Sequence, residues 1–386
     1  MALGSKSVSL HILTLSAVVG MKKTSRIVTV GLCPSWDMVC RFAGIEWGDH
    51  KLADSVTCRP AGKAVNISRA LAWMGEKNAA AGLWGRDDYE QMRKAMRQLR
   101  GVVRVKMTAV EGATRRNVTV VDTANDREMH LRFPCGLASQ KALRQLGADL
   151  KGIVGKNSIC VFAGLMPENR FLVDVVRIIR KCDAGGARVV VDTHGQALRR
   201  IVDTGRVWMI KPNVAELREL LGEDVADKPA SLAKAARRLL DKVEIVLVSR
   251  GKNGAVVVTP QGAWQGRCAG RGRVVSTVGC GDYLLGGFLK GLTEISDLVL
   301  RNNRNCGHRH EAFRDRNSLC LRGVGDCHVG LRPPRNDKVH KVKSYAVPSS
   351  ALSIALKAAT ARAWGWTEEK AWTAAQRQVR IEVGRV

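Results

Sequence analysis

The stretch Ser276-Thr277-Val278-Gly279-Cys280-Gly281-Asp282, with the apolar run Tyr283–Leu292 behind it, decides how this chain is read. Gly279 and Gly281 let a backbone approach an anion closely. The N–H groups at a helix start, which have no partners inside the helix, attract it. Asp282 would repel a bound phosphate, so it makes better sense as a general base that takes a proton from an attacking hydroxyl. A tight turn with an aspartate cap explains the same residues. The stretch alone leaves both readings open.

Three other polar stretches share its character. Pro60-Ala61-Gly62-Lys63-Ala64-Val65-Asn66 opens a helix with Gly62 and Lys63, as an anion-binding turn would. It is not a Walker A loop, because GxxxxGK[ST] is absent. Asn66, one turn in, is placed to bind a sugar hydroxyl; the plainer reading is a helix start with a solvated lysine. In Lys211-Pro212-Asn213-Val214-Ala215-Glu216, Asn213 and Glu216 can form a capping box, or face a metal–phosphate site through water. Ser249-Arg250-Gly251-Lys252-Asn253-Gly254 follows a strand and reads as a phosphate-contacting turn or a simple hairpin.

Between these stretches, short β-branched runs alternate with amphipathic ones. Ile27–Val30, Val102–Val105, Asn117–Val121, Met129–Phe133, Ile159–Phe162, Val189–Val191, Val207–Ile210 and Ile245–Val248 read as strands, and Val256–Thr259 with Ala263–Gln265 as a hairpin. Helices are expected at Ala64–Met74, Asn169–Lys181, Ala215–Leu221, Lys228–Asp241 and Gly281–Leu292, and again at Ser349–Ala363 and Glu368–Gln378. This rhythm predicts a mainly parallel sheet covered by helices on both faces. In such folds ligands sit beyond the carboxyl ends of the strands, which is where the four polar stretches fall.

Composition narrows the function. The chain has 386 residues, 45% hydrophobic and 25% charged, which excludes a wholly disordered protein; its 38 glycines follow no collagen triplet. No run approaches the roughly 18 apolar residues of a membrane span. The net charge of +28 suggests nucleic acid at first sight. However, residues 1–26 hold four basic and no acidic residues, and 298–348 eleven basic against four acidic, while the other +17 is spread thinly. None of the 18 aromatics interleaves with Arg or Lys as a base-stacking surface requires, so no specific nucleic-acid partner and no membrane are expected. Eleven cysteines without a CxxC fit a reduced, cytoplasmic chain. The apolar stretch 8–20 reads as an extension rather than a secretion signal, because it has a single preceding charge and no small-x-small cleavage site close behind. Residues 298–348 lack a sustained period. They contain Cys306, His308, His310, Cys320, Cys327 and His328, but the spacing matches no recognised zinc finger.

Taken together, the motifs resemble the ribokinase/phosphofructokinase-B carbohydrate kinases, specifically the 1-phosphofructokinase and tagatose-6-phosphate kinase branch. Gly279-Cys280-Gly281-Asp282 is similar to the family's GAGD, and Ala61 to Asn66 to its GGKGxN. Asp192-Thr193-His194-Gly195-Gln196-Ala197-Leu198 resembles DTSGxAL, Lys211-Pro212-Asn213 with Glu216 resembles KPNxxE, and Gly112-Ala113-Thr114-Arg115-Arg116-Asn117 resembles G-x-T-R-x-N. The resemblance implies an α/β, ribokinase-like three-layer sandwich with a mainly parallel central sheet and a small β-sheet lid. It implies an extension at 1–25, the kinase domain at 26–297, a basic Cys/His/Arg-rich and irregular insertion at 298–348, and C-terminal helices of the same domain at 349–386.

The implied reaction moves the γ-phosphoryl of ATP, with Mg²⁺, to a hydroxyl of a phosphosugar. Asp282 would be the base, and the backbone of Gly279, Cys280 and Gly281 would hold developing charge. Asp37, Gly62, Lys63 and Asn66 would bind the sugar, and Arg115 its existing phosphate. Lys211, Ser249, Gly251 and Gly254, with Gly279 and Gly281, would line the ATP site, while Asn213 and Glu216 would reach Mg²⁺ through water. The resemblance also allows a homodimer. Several positions depart from the family pattern: Ala61 and Ala64 replace glycines, Leu165 a serine, Cys280 an alanine, and Tyr283 a small residue. Ala61 and Ala64 would be strained wherever φ > 0 is needed, by about 1 kcal/mol or more, and their methyls would crowd the substrate. These departures motivate a second reading, a non-catalytic sugar-phosphate-binding protein on the same fold.

Overall fold

Ile27–Gly31 (β1) is buried at every residue because it runs through the middle of a sheet covered on both sides. The computed structural model describes residues 26–270, 274, 277–306, 339–363, 365 and 372–386. The expected extension at 1–25, the centre of the expected insertion, and its ligands His308, His310, Cys320, Cys327 and His328 lie outside the described residues.

Two strands of the lid follow at Ser35–Phe42 (β2) and Ser55–Ala61 (β3), then the helix Lys63–Trp73 (α1). The chain continues through Asn78–Gly85 (β4), the helix Tyr89–Ala95 (α2), Val103–Val110 (β5), and the lid strands Arg116–Asp122 (β6) and Arg127–Leu131 (β7). Helices Gln140–Leu150 (α3), Leu172–Ala184 (α4), Gly195–Val202 (α5), Val214–Leu221 (α6) and Pro229–Arg237 (α7) alternate with strands Ile159–Ala163 (β8), Arg188–Asp192 (β9), Met209–Ile210 (β10) and Ile245–Ser249 (β11). Ala255–Thr259 (β12) and Gly262–Cys268 (β13) form the hairpin. Helices Cys280–Cys306 (α8), Val339–Ala363 (α9) and Trp372–Gln378 (α10) precede Ile381–Arg385 (β14).

The large sheet has the order β14-β13-β12-β11-β10-β9-β8-β1-β4-β5. It is parallel from β5 to β11 and antiparallel from β11 to β14. Because side chains alternate along a strand, each strand feeds two cores. Val28 and Val30 join one core with α3, α4 and α7; Ile27 joins the other with α1, α8 and α9. Helices α8 and α9 meet closely because Gly287 and Gly291 have no side chains: a Cβ there would stand 2.8 Å from Ala355 Cα and 2.6 Å from Ala351 Cα. The lid is a separate sheet, β3-β2-β6-β7. No helix among the described residues is long and apolar enough to cross a membrane.

The three-layer architecture and the lid agree with the sequence reading, but the element list differs. β4 was not anticipated, because Asn-Ala-Ala-Ala-Gly-Leu-Trp-Gly lacks β-branched residues; its wholly buried place between β1 and β5 makes it a strand. β14 completes the far edge of the sheet by pairing with β13, a contact no local pattern announces. α8 continues to Cys306 and α9 begins at Val339, so helix extends past both ends of the segment read as irregular.

Candidate active site

At the mouth of α8, Gly279 turns the chain with φ 82°, a conformation that favours glycine. Asp282 lies in the first helical turn, and its backbone N–H donates to Gly279 O at 3.0 Å. Its side chain is buried, only 6% exposed, and Oδ2 accepts a 2.8 Å hydrogen bond from Asn66 Nδ2 of α1. Burial pushes its pKa up, and the charge of Asp192 adds to that. The Asn66 bond and the charges of Lys63 and Lys211 act the other way, and the balance leaves the carboxyl pushed up to about 6.

Asp192, the last residue of β9, is the hub behind this mouth. It is fully buried, and its Oδ1 receives Lys63 Nζ at 2.9 Å and Lys211 Nζ at 3.4 Å. Its Oδ2 has no hydrogen-bond partner. Burial opposes the charge on Lys63, but the charge and hydrogen bond of Asp192, with Asp282 and Glu216, outweigh it and hold the ammonium protonated. Lys211 Nζ lies 3.6 Å from where a Cβ on Gly281 would stand, so two cations flank the helix mouth. β9 and the segment after β10 deliver these groups because neighbouring parallel strands end on the same side of the sheet. In the sequence, Asp192 stands only as an acidic residue closing an apolar strand, and nothing local marks it as the partner of two lysines.

The lid supplies a second set of groups. Asp37 on β2 accepts from Ser35 Oγ at 2.9 Å and from Asn117 Nδ2 at 3.1 Å, both at Oδ1. With Arg59, Asn66, Gly279, Tyr283 and Arg362 it lines a cavity of about 380 Å³. Arg115 does not line this cavity. Its guanidinium donates to the carbonyls of Pro34 (3.1 Å), Cys33 (3.1 Å) and Phe133 (2.6 Å). The structure therefore brings Asp37, Asn66 and Gly279 together and sets Arg115 at the hinge beside them. Arg59 and Arg362 went unnoticed in the sequence because neither belongs to a recognisable motif.

The departures from the family pattern fall into place. Gly62 alone holds a positive φ, 104°, while neither Ala61 nor Ala64 does, so neither is strained. Both alanines are buried, and the Ala64 methyl lies 3.2 Å from the Cβ position of Gly31 on β1. The expected crowding of substrate by these methyls is therefore corrected: they pack against the protein core. Tyr283 is also largely buried, its ring tilted against Trp73 at 5.9 Å between centroids, with Arg362 over its face.

On the far side, Ser249 ends β11 and bridges to Asn213; Gly251 and Gly254 shape the turn that follows. The capping box expected of Asn213 and Glu216 is present: Asn213 Oδ1 accepts from the Glu216 N–H at 2.9 Å, and Glu216 Oε2 accepts from the Asn213 N–H at 2.8 Å. Glu216 still bears on the site, since its charge acts on Lys63.

A carboxylate at a helix mouth, flanked by the buried Lys211 and the half-buried Lys63 beyond the carboxyl ends of parallel strands under a β lid, defines a ribokinase-like sugar kinase fold. Residues 24–301 match the pfkB family of carbohydrate kinases, and the chain belongs to that family. It is 27% identical over 280 residues to a 1-phosphofructokinase of Haemophilus influenzae, an alignment covering 71% of this chain and 87% of that protein. It is 26% identical to the ATP-dependent 6-phosphofructokinase isozyme 2 of Escherichia coli, covering 71% of this chain and 87% of that one. The crystal structure of Escherichia coli phosphofructokinase-2 in complex with fructose-6-phosphate superposes with a TM-score of 0.65 at 26% identity, over 70% of this chain and 88% of that chain. The protein is a phosphofructokinase-type sugar kinase.

Proposed function

We propose that the protein transfers the γ-phosphoryl of ATP to a hydroxyl of a ketohexose phosphate, with fructose 1-phosphate as the acceptor. The observation that carries this is the assembly at the mouth of α8, where Asp282 is buried, held by Asn66 and backed by the Lys63–Asp192–Lys211 cluster. Relatives named 1-phosphofructokinase support the acceptor.

Asp282, pushed up to about 6, is ionised at neutral pH yet basic enough to take the proton of an acceptor hydroxyl. The backbone of Gly279, Cys280 and Gly281 would hold charge on the transferred group, each donor contributing about 3 kcal/mol. Lys63 and Lys211 would neutralise phosphate oxygens without rearranging, since Asp192 already orients them. Gly62, Lys63, Asn66 and Asp37 would position the sugar. Its existing phosphate would fall to Arg115, which exchanges the Phe133 carbonyl for a phosphate oxygen. Ser249, Gly251 and Gly254 would face the nucleotide.

Among the described residues, no cluster of three or more His, Cys, Asp or Glu could hold a metal. Mg²⁺ carried on nucleotide phosphates would be reached by Asn213 and Glu216 through water. When bound, the ion supplies positive charge against the phosphate oxygens. The exposed strands β3 and β7 at the two edges of the lid suit a homodimer.

ADP release measured with fructose 1-phosphate, fructose 6-phosphate and tagatose 6-phosphate tests the reading, with fastest turnover expected on the first. Preference for another sugar moves the acceptor, and no turnover on any of them by folded protein removes the activity. The non-catalytic reading finds no support in Ala61 and Ala64, whose methyls are buried away from the cavity.

A further inference from the structure

Two thiols stand side by side where the chain passes between body and lid. Cys33 lies between β1 and the first lid strand, and Cys135 lies after the last one, β7. The thiols are near enough that each acts on the other's acidity. Arg115 braces the same junction, because its guanidinium reaches Cys33 O and Pro34 O on one segment and Phe133 O on the other. The two cysteines therefore meet across a crossing that is already held in register.

We propose that Cys33 and Cys135 are an oxidisable dithiol, which hydrogen peroxide converts to a disulfide tying the chain entering the lid to the chain leaving it. The roles follow from position and chemistry. Cys135 is the more exposed of the pair, and Cys33 is buried at 6% exposure. Neighbouring Cys33, the Leu137 N–H and the charge of Arg115 outweigh burial and bring the Cys135 thiol down to about 6, while Cys135 and burial push Cys33 up. The thiolate is the nucleophile.

Cys135 attacks one peroxide oxygen; the O–O bond breaks, a sulfenic acid forms and the other oxygen leaves as water. Cys33 sulfur then attacks the Cys135 sulfur, the S–O bond breaks and a second water leaves. The two thiols lose two electrons and two protons in all, and the peroxide is reduced to two waters.

Four other described cysteines are poorer targets. Cys160 and Cys182 lie near each other, but both are buried in the core. Burial pushes the Cys58 and Cys280 thiols up. A Cys33–Cys135 bond would hold the Phe133 carbonyl on Arg115. On the kinase reading above, that makes phosphosugar binding weaker in the oxidised protein.

The full chain is treated with hydrogen peroxide, alkylated and mapped without reduction. The expected result is one crosslinked peptide pair joining Cys33 and Cys135, lost on treatment with dithiothreitol. Both thiols remaining alkylatable, or either joined to a different cysteine, overturns the site. In Cys33→Ser, the Cys135 sulfenic acid should persist and be trapped by dimedone; if that variant does not fold, the wild-type map still decides. Oxidation should raise the KM for the phosphosugar by about fivefold, reversibly, in the wild type and not in Cys135→Ser. An unchanged KM with the disulfide formed overturns the consequence for binding, and loss of activity in oxidised Cys135→Ser moves the target to another thiol. Absence of turnover before oxidation counts against the kinase reading alone, since the peptide map does not depend on it.

Discussion

The body and the lid solve different problems with the same residue types. In the body, carboxylates and lysines are stripped of water: Asp192 is fully buried and Asp282 and Lys211 nearly so. In the lid, Asp37 is only half-buried and holds two neutral hydrogen-bond donors, Ser35 and Asn117. Burial magnifies each charge in the body and pushes the Asp282 carboxyl up to about 6, which suits the base of the proposed reaction. The lid keeps its polar groups near water. On the proposed function, the proton transfer falls to the water-stripped body, while the lid's Asp37 helps hold the sugar from a more solvated position.

The largest break of this contrast is Asp282→Asn, which keeps the shape and removes the base. Turnover should fall by about 10³-fold or more in the ADP-release assay. The folded protein should nevertheless gain stability. Its carboxyl is pushed up to about 6 from an ordinary value of 3.8, so the ionised form is disfavoured by folding. That cost is absent below pH 4, grows as pH rises to 6 and is then constant. Its removal at pH 8 should stabilise the protein by up to about 3 kcal/mol in urea denaturation.

Asp192→Asn strips the counter-charge from two lysines. Breaking such a buried cluster should cost about 3 kcal/mol. The wild-type acid limb of kcat/KM, expected near pH 6 as Asp282 gains its proton, should move to lower pH, because Asp192 no longer raises it. A merely structural role for Asp192 would lower stability without moving that limb.

Smallest should be Asp37→Asn in the lid. KM for the phosphosugar should rise about tenfold, the worth of one hydrogen bond to a charged group, with kcat and the melting temperature nearly unchanged. A large fall in kcat instead would erase the distinction between the two regions.

Much of this was legible in the chain. Gly279 to Asp282 and Gly62 to Asn66 read as anion-binding helix starts, and both sit at the mouth they were expected to build. Their geometry is local: a glycine, a helix and the next polar residue lie within one turn. The capping box of Asn213 and Glu216 was legible for the same reason. Arg115 was less so. Its motif places it at the entry to β6, but the carbonyls it holds come from residues 33, 34 and 133, far apart in sequence. The lid strands β2 and β3 are not legible in the chain, because Asp37 and Arg41 interrupt one run and Pro60 sits inside the other; pairing with each other and with β6 makes them strands.

The sequence by itself determined the alternation of strands and helices, the polar turns at the strand ends and the family, because these depend on residues near one another in the chain. Only the tertiary structure decided that Asp192 joins Lys63 to Lys211, that Ala61 and Ala64 turn into the core, and that Cys33 meets Cys135. The physical reason is common to all three. The energy of a buried charge, a methyl or a thiol depends on which distant segment excludes water from it, and that is settled only when parallel strands and lid crossings bring those segments together.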